Sequence, residues 1–213
     1  RGSVSTLQQR ALFSYTAPQL LSNDRLTLSF VGLFDDSQDV RTYASRRWEG
    51  STQLSHRWTR SKTAQYRFSY RRVGVDQGSL RIDPALIPLL SQPVRVGMLS
   101  GTYIDDRRDN PLDAHSGTHN TLDLGLASKA FGSEVAYMRL LARNSTYHRL
   151  GGRLVLARTM TFAVMGGLSA IPNLEDPTQD IPLSERFFAG GASSHRGFPD
   201  NQAGPRDLKT GFP

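Results

Sequence analysis

The sequence contains no cysteine and only three lysines among its 213 residues. Without cysteine the chain forms neither disulfides nor thiolate metal sites. Arginine therefore supplies most of the 26 basic residues, which outnumber the 19 acidic residues and give a formal charge of +7. Arginine pairs bidentately with carboxylates and phosphates and tolerates partial burial better than lysine does. The charge fits nucleic acid or lipid headgroups as partners, and it fits equally a surface of solvated arginines.

A long apolar run is also absent. No stretch of about 18 apolar residues occurs, which excludes a transmembrane helix. The mean hydropathy of −0.42 is that of a soluble protein. Such an average combines the two faces of each strand, however, and it does not detect a membrane barrel whose strands alternate apolar and polar residues. The length suffices for one domain. The first residue, Arg1, and the last, Pro213, suggest a segment of a longer protein.

Alternation with a period of two is the strongest local pattern. In the stretch QYRFSYR, residues 66, 68 and 70 are aromatic, whereas residues 65, 67, 69 and 71 are polar. This period is typical of a strand with two unlike faces. The same pattern predicts eight strands, near residues 9–20, 25–36, 42–59, 64–76, 94–105, 118–129, 134–147 and 153–168. Arg158 lies on the apolar side of the last one, so a bulge or a shifted strand start is expected there.

Strand length and connection length favour a membrane barrel. Many of these strands exceed the ~5–6 residues of ordinary globular strands and reach the ~9–11 needed to cross a bilayer. The two long connections, 76–93 and 169 onward, fall on the same rim, as in outer-membrane barrels with one short and one long rim. A soluble sandwich would have apolar inner faces, whereas this polar face is rich in arginine. The alternative is an antiparallel sheet with one solvated face.

Residues 186–207, RFFAGGASSHRGFPDNQAGPRD, contain too much glycine and proline for a helix or a long strand. The segment resembles the long sixth extracellular loop of BamA/TamA-type outer-membrane assembly barrels, the bacterial surface antigen family. The family pattern is F-x-x-G-G-x-x-S-V-R-G-[YF], followed by G-P. The matching residues are Phe187 or Phe188, Gly190, Gly191, Ser194, Arg196, Gly197, Phe198, Gly204 and Pro205. His195 stands where the family usually has valine.

Two further segments support the same resemblance. Residues 103–124 are similar to a strand–turn–strand of the family with the pattern R-D-x-P-x-x-P/A-x-x-G, and residues 44–51 are similar to a common strand start. The resemblance implies an all-β, transmembrane antiparallel β-barrel that is partial, comprising about eight strands. These would be strands 4–11 of the sixteen in the family, followed by the long sixth extracellular loop. Residues 1–213 would then belong to a single barrel domain, with strands over 9–168 and a lumen-inserted loop over 169–213.

The resemblance also assigns roles within the loop. It implies that Arg196 contacts acidic and aromatic residues on the inner wall, mainly on strands that follow residue 213. A guanidinium in a lumen needs such a carboxylate partner. Gly197 would permit a tight turn of the backbone, and Phe198 would pack against the wall.

The function implied is insertion of outer-membrane proteins, or protein translocation across the outer membrane, by a barrel that opens laterally. Its partners would be outer-membrane lipid, nascent outer-membrane or secreted proteins as clients, and periplasmic or lipoprotein partners bound through POTRA domains. Two alternatives stay open. One is a two-partner secretion transporter or a passive pore on the same barrel, and the other is a soluble basic β-sheet protein that binds polyanions.

We expect no catalytic residue, cofactor, metal or nucleic acid. His115 and His119 have a spacing of four but do not lie on a helix, and no H-E-x-x-H motif accompanies them. The GGASSHRG stretch lacks the G-x-S-x-G elbow of hydrolases and the lysine of a phosphate-binding loop. The aromatic residues lie on the strand face opposite the arginines, whereas nucleic-acid stacking platforms interleave the two.

Overall fold

The computed structural model describes residues 2–4, 8–37, 44–79, 87, 91–152, 154–168, 181–191, 194–199 and 202–204. These residues form one antiparallel sheet in which each strand pairs with its neighbours in sequence order. The strands are β1 (Gly2–Val4), β2 (Gln8–Pro18), β3 (Leu26–Ser37), β4 (Ser45–Arg57), β5 (Lys62–Val75), β6 (Val94–Asp106), β7 (Gly117–Ala127), β8 (Tyr137–Gly151) and β9 (Leu154–Gly167). One-turn 3-10 helices occur at Leu20–Ser22, Gln77–Ser79, Lys129–Phe131 and Leu183–Glu185.

The eight predicted strands are confirmed as β2 to β9. Strand β1 was not predicted, because three residues are too few to show an alternation. The sheet is open, with β1 at one edge and β9 at the other. This is the arrangement of a partial barrel. No helix among the described residues is long and apolar enough to cross a membrane.

The sheet has two chemically different faces. Tyr66, Phe68 and Tyr70 are exposed on one of them, which we call the outer face. Ser69 and Arg71 are buried on the opposite, inner face. The register is continuous across neighbouring strands, so each face keeps its character from strand to strand. The large exposed apolar side chains of the outer face include Phe13, Tyr15, Phe30, Trp48, Leu99, Leu122, Leu124, Leu126, Met138, Leu156, Met160, Phe162 and Val164.

Arg158 lies on the outer face, and neither a bulge nor a shifted start of β9 changes this. It pairs with Thr146 in an uninterrupted register. The one irregularity between the two strands falls between Arg149 and Gly151 of β8, close to the turn. The expectation that β9 is irregular at Arg158 was therefore wrong. Because Arg158 is four residues from the start of β9, its long side chain can extend to the polar edge of the sheet.

The connections divide into two rims. At the short rim β2 connects to β3, β4 to β5, β6 to β7 and β8 to β9. At the long rim β3 connects to β4, β5 to β6 and β7 to β8, and β9 ends there. The prediction that the two longest connections share a rim is confirmed.

The turn at 107–116 shows what the R-D-x-P motif does. Asp109 Oδ1 accepts the backbone N–H groups of Asn110, His115 and Ser116 at 2.9, 3.0 and 3.2 Å. These bonds, the one from Ser116 foremost, lower the pKa of Asp109 to about 2. Gly117 follows at φ +104°, and a Cβ there would lie 2.2 Å from the Arg107 carbonyl oxygen. The motif therefore specifies a turn rather than a chemical site.

The buried core is small and lies on the inner face. Val96, Met98, Ala127 and Tyr137 form it, from strands β6, β7 and β8. Ile181, which follows β9 on the long rim, packs against this cluster. The segment after β9 therefore turns back over the inner face, and the core is where this segment covers the sheet.

Candidate functional site

The centre of this covered region is an ion pair between a strand and the returning segment. Arg71 lies on the inner face of β5, and Glu185 lies in the one-turn helix at Leu183–Glu185. Arg71 Nε donates to Glu185 Oε1 at 2.8 Å, and Arg71 Nη2 donates to Oε2. The Tyr137 hydroxyl donates to Oε2 at 2.7 Å. Three donors from two strands thus converge on one carboxylate.

Both charges are buried: the side chains of Arg71 and Glu185 are 5% and 6% exposed. Burial by itself raises the pKa of Glu185, but the hydrogen bonds and charge of Arg71 outweigh it, so that this pKa is lowered and the carboxylate is ionised. Arg71 Nη1 also donates to Ser69 Oγ at 3.1 Å. A buried charge is tolerated when it is paired and its remaining groups are hydrogen-bonded, as they are here.

Sequence reasoning did not find this pair. The two residues are 114 positions apart, and Arg71 is one of several inner-face arginines. The weak signal available was the position of Glu185 directly before the glycine-rich motif. The adjacent Arg186 holds the local turn, since its Nε donates to the Ile181 carbonyl oxygen at 3.1 Å.

The described residues of the glycine-rich motif are linked by hydrogen bonds, and we call the described residues among 189–204 the motif hairpin. Ala189 and Ala203 form an antiparallel bridge with an N–H to O distance of 2.8 Å. Within it, the Gly191 N–H donates to the Phe198 carbonyl oxygen at 2.9 Å. Ser194 Oγ accepts the Gly190 N–H at 2.8 Å and donates to the Gly190 carbonyl at 2.7 Å.

The glycines of the motif hairpin divide into two groups. Gly190, Gly191 and Gly204 have φ values of +126°, +79° and +125°, which a residue with a Cβ rarely adopts. Gly197 has no positive φ, and a Cβ there would meet the His195 ring at 3.4 Å. The backbone nevertheless turns at Arg196 and Gly197, where the Phe198 N–H donates to the His195 carbonyl oxygen at 3.1 Å, so the tight turn expected at Gly197 is present.

The remaining predicted residues lie at the tip. Arg196 is exposed, one position after His195. The rings of His195 and Phe198 meet edge to face at 4.9 Å, and Phe198 is 45% exposed. The contact of Phe198 with the wall and the acidic partner of Arg196 stay predictions. Pro205 lies outside the described residues.

Several inner-face arginines have polar partners on the sheet, although the Nε atoms of Arg47 and Arg139 are buried without a hydrogen-bond partner among the described residues. Arg67 Nε donates to Gln53 Oε1 at 2.8 Å, and Arg139 approaches Asp123 at 3.4 Å. Thr102 donates to the same aspartate at 2.7 Å. This face therefore resembles a hydrated wall rather than a sheet-on-sheet core. Within the described ranges, no cluster of three or more histidine, aspartate or glutamate side chains is placed to hold a metal ion.

An open antiparallel sheet with an aromatic outer face, a polar inner face and one long connection turned inward is the fold of part of a transmembrane β-barrel. A sequence model of the Omp85 superfamily domain matches residues 1–211, and the chain belongs to that superfamily. The BamA/TamA-type resemblance is thereby confirmed at the level of the family.

The fold is also that of a solved barrel. The chain is similar to BamA from Haemophilus ducreyi lacking POTRA domains 1–3, with a TM-score of 0.75 and 17% sequence identity. The match covers 96% of this chain and 40% of that one, so the chain spans well under half of that BamA structure. No curated protein sequence matches the chain.

Proposed function

We propose that this chain supplies part of a barrel that inserts proteins into the outer membrane or passes them across it, by opening laterally. The observation that carries the proposal is membership of the Omp85 superfamily over residues 1–211. Clients would be nascent outer-membrane or secreted proteins, and outer-membrane lipid would surround the outer face. Periplasmic or lipoprotein partners would bind through POTRA domains.

The physical basis of such an activity is strand pairing in lipid. Each unpaired backbone N–H or C=O group in hydrocarbon costs several kcal/mol. A barrel edge that opens would therefore offer a client strand the hydrogen bonds that lipid cannot provide. The inner face would remain hydrated, since it carries paired arginines rather than aliphatic residues.

In this proposal the segment after β9 lies inside the barrel lumen. The buried pair of Arg71 and Glu185 and the packing of Ile181 support that placement. The motif hairpin would then present Arg196 to the wall formed by strands outside this chain. The same barrel could instead serve a two-partner secretion transporter or a passive pore, and the covered inner face does not distinguish these activities. The polyanion-binding alternative is disfavoured by the exposed aromatic outer face.

The experiment that tests the proposal reconstitutes the full-length protein into liposomes with an unfolded β-barrel client. We expect the client to become protease-protected and heat-modifiable faster than in empty liposomes. Transport of a client into the interior of the liposome without its insertion into the membrane would indicate a secretion transporter. Ion conductance with no acceleration of either process would indicate a passive pore and overturn the proposal.

A further inference from the structure

The outer face contains a depression where two glycines lie side by side. Gly32 of β3 and Gly50 of β4 are register partners. On the neighbouring strands, Phe13 of β2 is the register partner of Gly32, and Tyr70 of β5 is the register partner of Gly50, so these four residues form one row across the sheet. Because the two glycines have no side chains, an apolar groove of about 710 Å³ lies between the two aromatic rings. A Cβ at Gly50 would meet nothing within 4 Å, which confirms that the floor of the groove is open.

The groove is closed toward the long rim by a pair of rings. Phe34 and Trp48 occupy the next row, with ring centroids 4.4 Å apart and planes inclined by 47°. Arg72 is the register partner of Trp48 on β5. Arg72 and Trp48 line the groove and also a second pocket of about 530 Å³ at the rim, beside Arg46 and Asp76. The two cavities therefore meet at Trp48 and Arg72.

Two of the three arginines around this junction are held in ion pairs, and the carboxylate of Asp76 also lines the rim pocket. Arg46 pairs with Asp36 at 2.8 Å, and Arg95 pairs with Glu134 at 2.6 Å. Arg72 lies on the outer face between these pairs and makes no ion pair within 4.0 Å among the described residues. Its charge does act on Glu134, and together with the bonds from Arg95, which dominate, it lowers the pKa of that carboxyl. An apolar groove thus ends at a cation.

We propose that this composite site, the Gly32–Gly50 groove together with Arg72, binds one phosphorylated lipid of the outer leaflet. An acyl chain would lie across the two glycines between Phe13 and Tyr70. A headgroup phosphate would accept hydrogen bonds from the Arg72 guanidinium, which matches phosphate geometry with two parallel N–H groups. Trp48 would lie between chain and headgroup, where aromatic rings are favoured in membranes.

The site lies beside the long rim, and this selects the class of lipid. In outer-membrane barrels the long rim is extracellular. The inference therefore rests on the proposed outer-membrane location. The lipid at that surface is the phosphorylated, multiply acylated glycolipid of the lipopolysaccharide class, and we commit to it as the occupant. Ordinary phospholipids would contact the outer face elsewhere without being retained.

The test measures lipid binding by native mass spectrometry of the folded full-length protein in detergent, titrated with lipid A. We expect one lipid A to bind with higher affinity than any further copies. Arg72→Gln, which removes the cation, should weaken this binding at least about tenfold, because the charge-assisted hydrogen bonds to the phosphate are lost. Gly50→Leu should do the same by filling the groove.

Two matched variants serve as controls. Arg158→Gln removes another outer-face arginine, on the short rim, and Gly101→Leu adds a side chain at another outer-face glycine with open space around it. Both should bind lipid A as the wild type does. Heat-modifiability of each variant reports whether the barrel is folded, and Arg72→Gln adds no bulk that could impair folding.

Three outcomes would overturn the inference: equal binding by Arg72→Gln and Arg158→Gln, no difference between lipid A and lipid A without its phosphates, or equal retention of phosphatidylglycerol. The measurement needs only folded protein. A failure of client insertion in liposomes would therefore contradict the proposed function without changing the lipid result, and the converse also holds.

Discussion

The side chains of Arg71 and Glu185 illustrate how one contact can hold a long connection in place. Their pairing joins β5 to a segment that follows β9, and Tyr137 completes the set of donors. Pairs of this kind add little net stability relative to apolar residues, but removal of one partner is costly because the other charge stays buried. We therefore interpret this pair as a device that specifies where the segment lies.

Glu185→Gln should release the segment from the inner face. It leaves Arg71 buried without a countercharge, for a cost of about 3–5 kcal/mol. We expect faster limited proteolysis within residues 181–204 of the full-length protein in detergent. Glu134→Gln is the matched control, because Glu134 forms an exposed ion pair with Arg95 near the long rim. The side chains of Arg95 and Glu134 are 57% and 41% exposed. Identical cleavage of the two variants would show that the buried pair does not hold the segment.

Arg196 carries a separate prediction. Replacement by alanine should increase protease cleavage between residues 189 and 205 and impair client insertion, because a charge-assisted contact of about 1.5–3 kcal/mol is lost. Arg196→Lys should already impair function, since lysine keeps the charge but not the planar two-pronged geometry. Wild-type cleavage and activity in both variants would remove the reason for singling out Arg196.

At the scale of the strand, the alternation of apolar and polar residues places the apolar side chains on the outer face and the polar side chains on the inner face. In β5 the aromatic side chains at 66, 68 and 70 share the outer face with Leu122, Leu124 and Leu126 of β7, two strands away. A shift of one residue in the register would bring the polar set to the outer face. The continuity of the pairing is therefore what makes an apolar band.

Spin labels at residues 66, 68, 67 and 69 of the full-length protein in liposomes test this division. We expect labels at 66 and 68 to be accessible to oxygen, which dissolves in lipid. Labels at 67 and 69 should instead be accessible to a water-soluble nickel chelate or shielded from both reagents. A label at the exposed turn residue Asn110 provides the aqueous reference. The reverse pattern would mean that the proposed register in the membrane is wrong by one residue.

The turn at 107–116 depends on Asp109 and Gly117. Gly117→Ala should destabilise it by about 1–3 kcal/mol, because alanine is strained at positive φ and its Cβ would collide with the backbone. Gly101→Ala, on an open part of the outer face, is the control. The measurement is amide hydrogen exchange at His115 and Ser116.

The hydrogen bonds of Asp109 should also have a defined pH range. Because folding lowers this pKa from 3.8 to about 2, the stabilisation is fully present above the unfolded value and is lost as pH falls through about 2. Protection of the Ser116 amide should therefore persist at pH 4. Asp109→Asn keeps an acceptor without the titration and should remove the pH dependence. Loss of wild-type protection already near pH 4 would contradict this assignment.

At the scale of the whole molecule, the open sheet is the dominant feature. Strands β1 and β9 are edges, each with backbone groups that have no partner strand on one side in the described sheet. Open edges in hydrocarbon are strongly unfavourable, which is why membrane barrels close. Residues 1–213 alone should therefore not form a compact, heat-resistant monomer in detergent. Heat-modifiability on gels with limited proteolysis tests this, with the full-length protein as the control. A protease-resistant monomer of the segment would refute it.

The amino-acid sequence by itself determined the strands, their faces and the rim on which the long connections fall. Those properties depend on local alternation and on the order of hairpins, both of which can be read along the chain. The glycine-rich motif likewise indicated the family, because its residues lie close together in the sequence. The positive φ values of Gly190 and Gly191 are also a local property, because glycine adopts this backbone conformation readily.

Only the tertiary structure decided which charges meet. Glu185 lies far from every inner-face arginine in the sequence. Its pairing with Arg71 depends on how far the segment after β9 returns and on the registers that relate β5 to β8 through β6 and β7. The glycine groove arose in the same way: Gly32 and Gly50 are 18 positions apart in the sequence and become neighbours only through strand pairing. Distances between strands are set by the curvature and register of the whole sheet, and no local pattern encodes them.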